Sequence, residues 1–295
     1  MESVPYDKRS GKIWFNGQTV DWKEANIHIL NHGLHYASCV FEGERVYDGE
    51  IFRLKEHTER LFYSAKRMGI KVPYTQNEIN EACKHIVNIQ KVNNGYVRPL
   101  IWRGSEMMAI SAQKNKIHVA VATWEWGSYF DPKLKLNGIK LNISSWRRPA
   151  PNTIPWDTKA SGLYMICTLS KHEAEKEGYT DSLMLDHEGN IAEATGANVF
   201  FKDKYGELHT PVPDSFLDGI TRRTVIGIAK SKNIKVHERK ISPSELKDFV
   251  GCFLTGTAAE VTPVSCIAKN QFKVCEMIID LNESYQLVVR KKKAA

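Results

Sequence analysis

The sequence predicts a mixed α/β fold of the α+β type, divided into two domains. Three observations support this prediction. Strand-like stretches and amphipathic helical stretches alternate in the first half, and short strands separated by turn residues dominate the second half. A polar, turn-rich stretch at 127–138 lies between them. We therefore expect a small α/β domain at 1–126, an interdomain loop at 127–138 and a larger domain at 139–295.

The first domain is expected to begin with a β-hairpin at 12–22, since Asn16-Gly17 is a typical hairpin turn. The stretch 50–70 passes from a short strand into a helix that ends at Gly69. A second helix begins at Thr75, because Thr75 and Glu78 have the spacing of a capping box. The hydrophobic side of this helix is predicted to comprise Ile79, Ala82, Cys83, Ile86 and Val87. Strands are predicted at 95–102 and 116–126.

The second domain is expected to contain short strands and three helices. One helix follows Lys159 and ends near Gly178, and another follows the segment 217–223. A third helix is predicted to begin at Ser242-Pro243-Ser244-Glu245, which combines an N-cap residue, a proline and a capping glutamate. A strand is predicted at 139–146, and strands that turn are predicted at 181–194, around Glu188-Gly189-Asn190, and at 198–211, around Tyr205-Gly206. At 252–264 a strand is predicted to enter a turn.

Composition argues against several classes of protein. The net charge of +7 is mild, and no basic cluster carries the aromatic residues or motif of a nucleic-acid-binding protein. No apolar run reaches the roughly 20 residues that span a bilayer, and none of the six cysteines forms a C-x-x-C pair. We expect a cytoplasmic protein with reduced cysteines and no metal. The stretch NHGLHYA at 31–37 is expected to be a loop, and His28, His32 and His35 are interpreted as ordinary hydrogen-bonded histidines.

Four features point to one kind of chemistry. Lys159 is followed by small residues, and Glu193 lies among alanines and a glycine. The helix start near Thr221 and the turn at Thr257 could each bind an anion through backbone amides. A lysine amine, a carboxylate and two anion sites suit a phosphorylated aromatic aldehyde, which forms a Schiff base with lysine and uses an acidic partner for its pyridinium nitrogen.

Each of these features also has an ordinary structural interpretation. Lys159 could be a surface lysine, and Glu193 could form a simple salt bridge. Arg60 could pair with Glu56 on the helix surface at the i,i+4 spacing. The two anion sites could be a capped helix start and a tight turn.

Six motifs in order make the sequence similar to the branched-chain amino-acid aminotransferases, which are fold type IV pyridoxal-phosphate enzymes. The motifs are HGLHYASCVFEGERVY, YVRPLIW, SSWRRPAPNTIPWDTKASGLY, IAEATGANVF, LDGITRR and LTGTAAEVTPV. The resemblance covers nearly the whole chain. It implies a small α/β domain, an interdomain loop, a larger pseudo-barrel domain and a homodimer or higher homo-oligomer.

The resemblance also implies roles for individual residues. Lys159 would form the internal aldimine with pyridoxal 5′-phosphate and carry protons, and Glu193 would keep the pyridinium nitrogen protonated. Tyr164 would bind the 3′ oxygen of the cofactor. The phosphate would be bound by Arg60, Ile220, Thr221 and Thr257.

The resemblance assigns a second group of residues to the substrate. Phe41, Trp126, Tyr129 and Tyr164 would form an apolar pocket, to which the partner subunit would add Tyr36. Core packing is the alternative for such aromatic side chains. The substrate α-carboxylate would be bound by Tyr96 and by the backbone of Thr257 and Ala258. Arg98 would bind the second carboxylate of glutamate or 2-oxoglutarate, and Arg45 would help to hold the pocket.

The implied reaction is transamination of L-leucine, L-isoleucine or L-valine with 2-oxoglutarate, which yields branched 2-oxo acids and L-glutamate. A D-amino-acid aminotransferase of the same fold is the main alternative, and an aminodeoxychorismate lyase is another. From a different class, a basic binding module could use the C-terminal run Arg290-Lys291-Lys292-Lys293.

Overall fold

The chain folds into two compact units, as seen in a computed structural model that describes residues 4–127, 129–130 and 137–291. The first unit comprises the described residues of Met1–Gly127 together with Thr158–Gly162. The second comprises those of Ser128–Asp157 and Leu163–Ala295. The segment that carries Lys159 therefore belongs by its contacts to the first unit, which a division at residue 139 did not anticipate.

The first unit contains one seven-stranded sheet and three α-helices among its described residues. Its strands are β1 (Lys12–Phe15), β2 (Gln18–Asp21), β3 (Cys39–Phe41), β4 (Glu44–Tyr47), β5 (Glu50–Ile51), β6 (Gly95–Arg103) and β7 (Ile117–Glu125). Its helices are α1 (His32–Tyr36), α2 (Leu54–Arg67) and α3 (Gln76–Ile89), with short 3-10 turns at Tyr6–Lys8 and Trp22–Glu24. The sheet order is β2-β1-β7-β6-β4-β5, and β3 also pairs with β6.

Local signals account well for the elements of this unit. β1 and β2 form the predicted hairpin around Asn16-Gly17. The side chain of Thr75 accepts a hydrogen bond from the Glu78 amide, which completes the predicted capping box of α3. The buried residues of α3 are the five that its apolar periodicity predicted.

The second unit contains more strands than the first. Its strands are β8 (Ile139–Arg147), β9 (Asp181–Leu185), β10 (Ile191–Ala194), β11 (Asn198–Lys202), β12 (Leu208–Thr210), β13 (Val236–Glu238), β14 (Gly251–Gly256), β15 (Glu260–Ile267) and β16 (Asn270–Gln271). Its helices are α4 (Met165–Lys176), α5 (Ile220–Ser231) and α6 (Glu276–Val289). Short 3-10 helices occur at Ser161–Tyr164, at the junction of the two units, and at Pro243–Asp248.

Six strands of the second unit close into a barrel-like sheet. They follow the order β10-β9-β8-β15-β14-β11, and β11 pairs back with β10. The closing pair is Glu193 with Asn198. The sheet encloses an apolar core that includes Leu141, Val199 and Leu254. This arrangement confirms the pseudo-barrel expected from the resemblance and fixes Glu193 at the seam of the sheet.

The sequence predictions were wrong or incomplete at several elements. The helix predicted from Ser242 is a short 3-10 helix, although Ser242 and Glu245 do form its capping box. The stretch 252–264 does contain a strand that enters a turn, β14, but a second strand, β15, follows the turn and was not predicted. Helix α6 was missed, and α1 lies where a loop was expected because one helical turn has too few residues to show a periodicity.

Three sequence expectations concern features of the chain as a whole. The six cysteines are free, and all are buried except the half-buried Cys275. Among the described residues, no helix is both long and apolar enough to cross a membrane. Most of the expected interdomain loop and the last part of the basic C-terminal run lie outside the described residues.

Candidate active site

The segment that carries Lys159 pairs with β3 of the first unit through backbone hydrogen bonds. The Phe41 amide donates a hydrogen bond to the Lys159 carbonyl at 3.1 Å. Val40 and Ala160 form an antiparallel bridge, and the Lys159 amide donates to Ser64 Oγ at 3.0 Å. The backbone on both sides of the lysine is therefore fixed by β3 and α2.

The Lys159 amine lies in surroundings that favour its neutral form. Its Nζ is 4.7 Å from the centroid of the Phe41 ring. The residue as a whole is only partly buried. Desolvation of the amine is nevertheless the main reason that its pKa lies below the ordinary value for lysine. The positive charges of Arg60 and Arg98 lower the pKa further, whereas Glu42 opposes them. A lysine of this kind can act as a base near neutral pH.

Glu42 is the centre of a buried charged network beneath this segment. Its side chain is fully buried, and Arg60 binds both carboxylate oxygens, with Nε–Oε1 at 2.6 Å and Nη2–Oε2 at 2.9 Å. His57 Nδ1 lies 2.7 Å from Oε2. Burial alone would raise the pKa of Glu42, but the neighbouring cation and hydrogen bonds hold it well below the usual range.

This network gives Arg60 a partner beyond the surface pair that the sequence offered. Arg60 binds the buried Glu42, while Glu56 binds Arg53 at 2.6 Å on the surface. Arg60 is largely buried, and Glu42 aligns its guanidinium through two parallel hydrogen bonds. A fixed arginine of this type suits a phosphate group, which is the role expected for Arg60.

Glu44 is a second buried carboxyl group beside this network. It lies two residues after Glu42, is fully buried, and neither of its side-chain oxygens has a hydrogen-bond partner among the described residues. Burial and the negative charge of Glu42 raise its pKa well above the ordinary value. The surroundings of Glu44 therefore favour its neutral, protonated form.

Several residues predicted for the substrate come together in the first unit. The guanidinium of Arg98 lies 4.6 Å from the ring centroid of Phe41, and its Nη2 lies 3.4 Å from the Tyr96 hydroxyl. The Tyr96 and Trp126 rings meet edge to face at 4.8 Å. The guanidinium of Arg45 lies 5.8 Å from Trp126. Phe41, Tyr96, Arg98, Arg45 and Trp126 thus form one continuous aromatic and cationic cluster.

Two details show how the backbone shapes this cluster. A Cβ added at Gly43 would lie 1.7 Å from the Tyr96 hydroxyl, so a side chain there would displace the phenol. Arg45 Nη1 donates a hydrogen bond to the Gly127 carbonyl at 2.9 Å. Neither Arg45 Nε nor Arg98 Nε has a hydrogen-bond partner among the described residues. The guanidinium of Arg98 therefore has donor capacity left for a carboxylate.

Tyr36 lies apart from this cluster, on an exposed surface of the first unit. Its side chain is 44% exposed, and its hydroxyl lies 3.5 Å from the Met108 carbonyl. Tyr36 and Met108 belong to the segments 27–36 and 107–110. Other large apolar residues of these segments are also exposed: Ile27, Ile29, Leu30, Leu34, Met107 and Ile110. His32 binds the Ala109 carbonyl and Ser38, and His28 and His35 also have hydrogen bonds.

In the second unit, two side chains hold Glu193. Arg148 Nε lies 3.4 Å from Glu193 Oε1, and Asn198 Nδ2 donates to Oε2 at 3.2 Å. Arg148 is buried, and its Nη1 also lies 3.4 Å from the Leu163 carbonyl and from Cys167 Sγ. The salt bridge that the sequence offered as the ordinary interpretation of Glu193 is thus present. The adjacent guanidinium favours the ionised form of this buried carboxylate.

The two predicted anion sites have the expected local structure. Ile220 and Thr221 are the first residues of α5. The N-cap residue is Gly219, which has no side chain to accept a hydrogen bond from the first amides of the helix. The Gly219 amide donates to Asn198 Oδ1, and an added Cβ would lie 2.2 Å from that oxygen. Thr257 and Ala258 lie in the turn between β14 and β15.

Two more predicted residues also belong to the second unit. Tyr164 is half-buried and directly precedes α4. Tyr129 is 45% exposed, and its ring packs against Phe130 at 4.7 Å.

Sequence reasoning missed the residues that support the predicted ones. Glu42 lies inside the motif HGLHYASCVFEGERVY, but the sequence did not indicate that its carboxylate positions the guanidinium of Arg60. Arg148 and Asn198, which hold Glu193, also lay inside quoted motifs. An ionisable side chain in an apolar stretch needs a partner, and that requirement was the available signal.

Comparison with known proteins agrees with this geometry. The family described as Amino-transferase class IV matches residues 39–267. A probable branched-chain-amino-acid aminotransferase of Rickettsia conorii is 43% identical, over 98% of this chain and all of that protein. The crystal structure of the Thermoproteus uzoniensis branched-chain aminotransferase with norvaline is 34% identical, covers 97% of this chain and 96% of that chain, and gives a TM-score of 0.92. The Thermobaculum terrenum branched-chain enzyme, in its PLP-bound holo form, is 29% identical over 96% of this chain and 95% of that chain, with a TM-score of 0.88.

The fold and the matched residues define a class IV aminotransferase, an enzyme that depends on pyridoxal phosphate. Within that class, the chain belongs to the branched-chain-amino-acid aminotransferases.

Proposed function

We propose that this enzyme transfers the amino group of L-leucine, L-isoleucine or L-valine to 2-oxoglutarate, which gives branched 2-oxo acids and L-glutamate. The observation that carries the proposal is the Lys159 amine, whose pKa is lowered and whose backbone is fixed on both sides. Such an amine can form a Schiff base and can also accept a proton in its neutral form.

The residues present fit pyridoxal 5′-phosphate. Arg60 supplies a fixed guanidinium for the phosphate, and the uncapped amides at Ile220 and Thr221 supply further donors. Thr257 is proposed as another phosphate contact. Glu193 is an ionised carboxylate suited to a pyridinium N–H, and Tyr164 is proposed to bind the 3′ oxygen. When bound, the cofactor supplies an electron sink for the negative charge that forms at the substrate Cα.

The protein residues have three tasks in this reaction. The Lys159 amine takes the proton from the substrate Cα and returns a proton during the second half of the transfer. Glu193, held by Arg148 and Asn198, keeps a proton on the ring nitrogen. Arg60, aligned by Glu42, holds the phosphate so that the reacting atoms stay within reach of Lys159.

The aromatic and cationic cluster of the first unit supports the choice of substrates. Phe41, Tyr96 and Trp126 provide apolar surface for a branched side chain. Arg98 lies next to Phe41 with an Nε that has no hydrogen-bond partner among the described residues, so it can bind the distal carboxylate of 2-oxoglutarate. Tyr96, together with the backbone of Thr257 and Ala258, is proposed for the α-carboxylate, and Tyr129 for the pocket wall.

We infer that the enzyme acts as a homo-oligomer. Exposed apolar residues are concentrated at 27–36 and 107–110, two segments that hydrogen bonds of His32 and Tyr36 connect, and exposed apolar residues of this kind are typical of protein interfaces. Tyr36 lies in the first of these segments and would be contributed to a neighbouring subunit's substrate pocket. Light scattering of the purified protein should give at least twice the mass of one chain. A monomer at micromolar concentration would contradict the inference. A cytoplasmic location remains a prediction.

The substrate proposal is tested by adding amino acids singly to the purified, cofactor-loaded enzyme. L-leucine should bleach the visible absorbance of the cofactor, and subsequent addition of 2-oxoglutarate should restore it. D-alanine should leave the spectrum unchanged. Bleaching by D-alanine but not by L-leucine would instead establish a D-amino-acid aminotransferase. An L-aromatic amino acid, added separately, defines how far the pocket extends beyond aliphatic side chains.

A further inference from the structure

A glutamate and two histidines lie close together at the edge of the second unit's sheet. None of the three belongs to the candidate active site. Strands β12 and β13 run parallel, and His209 and His237 are register partners. Their rings stack at 4.7 Å with an angle of 15°. Glu207 lies just before β12, and its Oε2 is 2.6 Å from His237 Nε2. One side-chain ligand atom from each of the three residues lies within 4.8 Å of the other two.

We propose that Glu207, His209 and His237 bind a divalent transition-metal ion of the zinc type. Imidazole nitrogens and a carboxylate oxygen are ligands that Zn²⁺ takes in proteins, and three protein ligands leave a fourth position for water. All three residues are partly buried, so the ion would be shielded on one side and reachable from solvent on the other. This site does not depend on the aminotransferase reaction.

A fourth residue, the acidic Asp203, supports the cluster. Asp203 Oδ1 accepts hydrogen bonds from the amides of Tyr205 and Glu207, which fixes the carboxylate. Its Oδ2 lies 3.2 Å from His209 Nε2. Asp203 and Glu207 thus place two carboxylates against the histidines, where they can bind or support a cation.

Two cations face the same cluster and compete with the ion. Lys235 Nζ lies 3.3 Å from Glu207 Oε1. Arg239 Nε donates to His209 Nδ1 at 3.1 Å. Arg239 also binds Glu245 Oε2 and the Lys240 carbonyl, so it keeps two partners if it turns away from His209. Metal binding would displace Lys235 from Glu207, and an ion on His209 Nδ1 would also displace one hydrogen bond of Arg239.

Binding would join two parts of the chain that are far apart in sequence. Glu207 and His237 are 30 residues apart, and β13 is a three-residue strand at the end of the sheet. An ion held by both strands would stabilise the folded state over the unfolded one, because a preformed site does not exist in the unfolded chain.

The experiment titrates ZnCl₂ into the purified, cofactor-loaded enzyme by isothermal calorimetry at pH 7.5. We expect one Zn²⁺ ion per chain to bind at a site that His237→Gln and Glu207→Gln each weaken about tenfold or more. Lys235→Gln should instead tighten binding, because it removes a competing cation. The exposed His172 provides a matched control, and His172→Gln should leave the affinity unchanged.

The outcomes separate a built site from casual binding. Loss of affinity in both ligand variants, with tighter binding in Lys235→Gln, supports the proposal. Equal affinity in the native protein and in His237→Gln and Glu207→Gln overturns it, as does the absence of binding to the native protein. Far-ultraviolet circular dichroism should show that the variants are folded.

Discussion

The surroundings of Lys159 and those of Glu193 have opposite electrostatic effects: the first favour a neutral side chain and the second favour a charged one. Lys159 lies near two guanidiniums and an aromatic ring, and its pKa is lowered. Glu193 lies against the buried Arg148 and an amide donor, which favour its charged form. One region thus makes a charged side chain easier to neutralise, and the other keeps a side chain ionised. The two residues proposed for proton transfer and for charge stabilisation therefore lie in environments of different kinds.

The largest effect is expected from Lys159→Ala. This change removes the base and should lower turnover by at least about 10²- to 10⁴-fold, which is the contribution of acid–base catalysis alone. The alanine leaves the backbone bonds to Phe41 and Ser64 in place, so thermal unfolding should change little. Steady-state assays with L-leucine measure the loss. A near-normal rate would remove Lys159 from the mechanism.

Glu42→Gln tests whether the region around Lys159 depends on its buried network. The change leaves the buried Arg60 facing a neutral amide, and breaking a buried ion pair costs about 3–5 kcal/mol. Urea unfolding measures this loss. Glu56→Gln is the matched control, because it breaks an exposed arginine pair of the same 2.6 Å length and should cost far less. Equal losses in the two variants would show that burial of the network contributes nothing.

Glu193→Gln tests the second region and should have a smaller effect on stability. The amide can keep the contact with Asn198 but no longer neutralises Arg148, so we expect a loss of about 1–3 kcal/mol. In the Arg148→Met background the same change should cost less, since no buried cation is left unpaired. A double-mutant cycle from urea unfolding measures the coupling between the two residues. Additive effects would show that the two side chains do not interact.

Glu44→Gln should have the smallest effect and a distinctive pH dependence. The pKa of Glu44 is raised in the folded protein, so the folded state binds a proton that the unfolded state releases above about pH 4.3. The native protein therefore loses stability as the pH rises above that value, and the variant does not. Relative to the native protein, Glu44→Gln should gain stability between pH 5 and pH 8 in urea unfolding. A difference that does not change with pH would show that Glu44 has an ordinary pKa.

Local sequence determined much of the framework. The hairpin turn at Asn16-Gly17, the capping box at Thr75 and the apolar side of α3 follow from interactions within a few residues. The candidate site residues were found through motifs, because the resemblance covers nearly the whole chain. Helix α6 and the one-turn helix α1 were missed, since the first carried no recognised start signal and the second is too short for a period.

The tertiary structure decided which side chains share a neighbourhood. That Lys159 belongs by contact to the first unit depends on backbone bonds to β3 and α2, which are distant in sequence. That Arg60 binds Glu42 depends on the position of β3 beside α2. The closing pair Glu193–Asn198 and the cluster at His209 and His237 depend on strand pairing. Sequence spacing sets contacts along one helix or hairpin, whereas burial of charge selects partners that only the folded chain brings together.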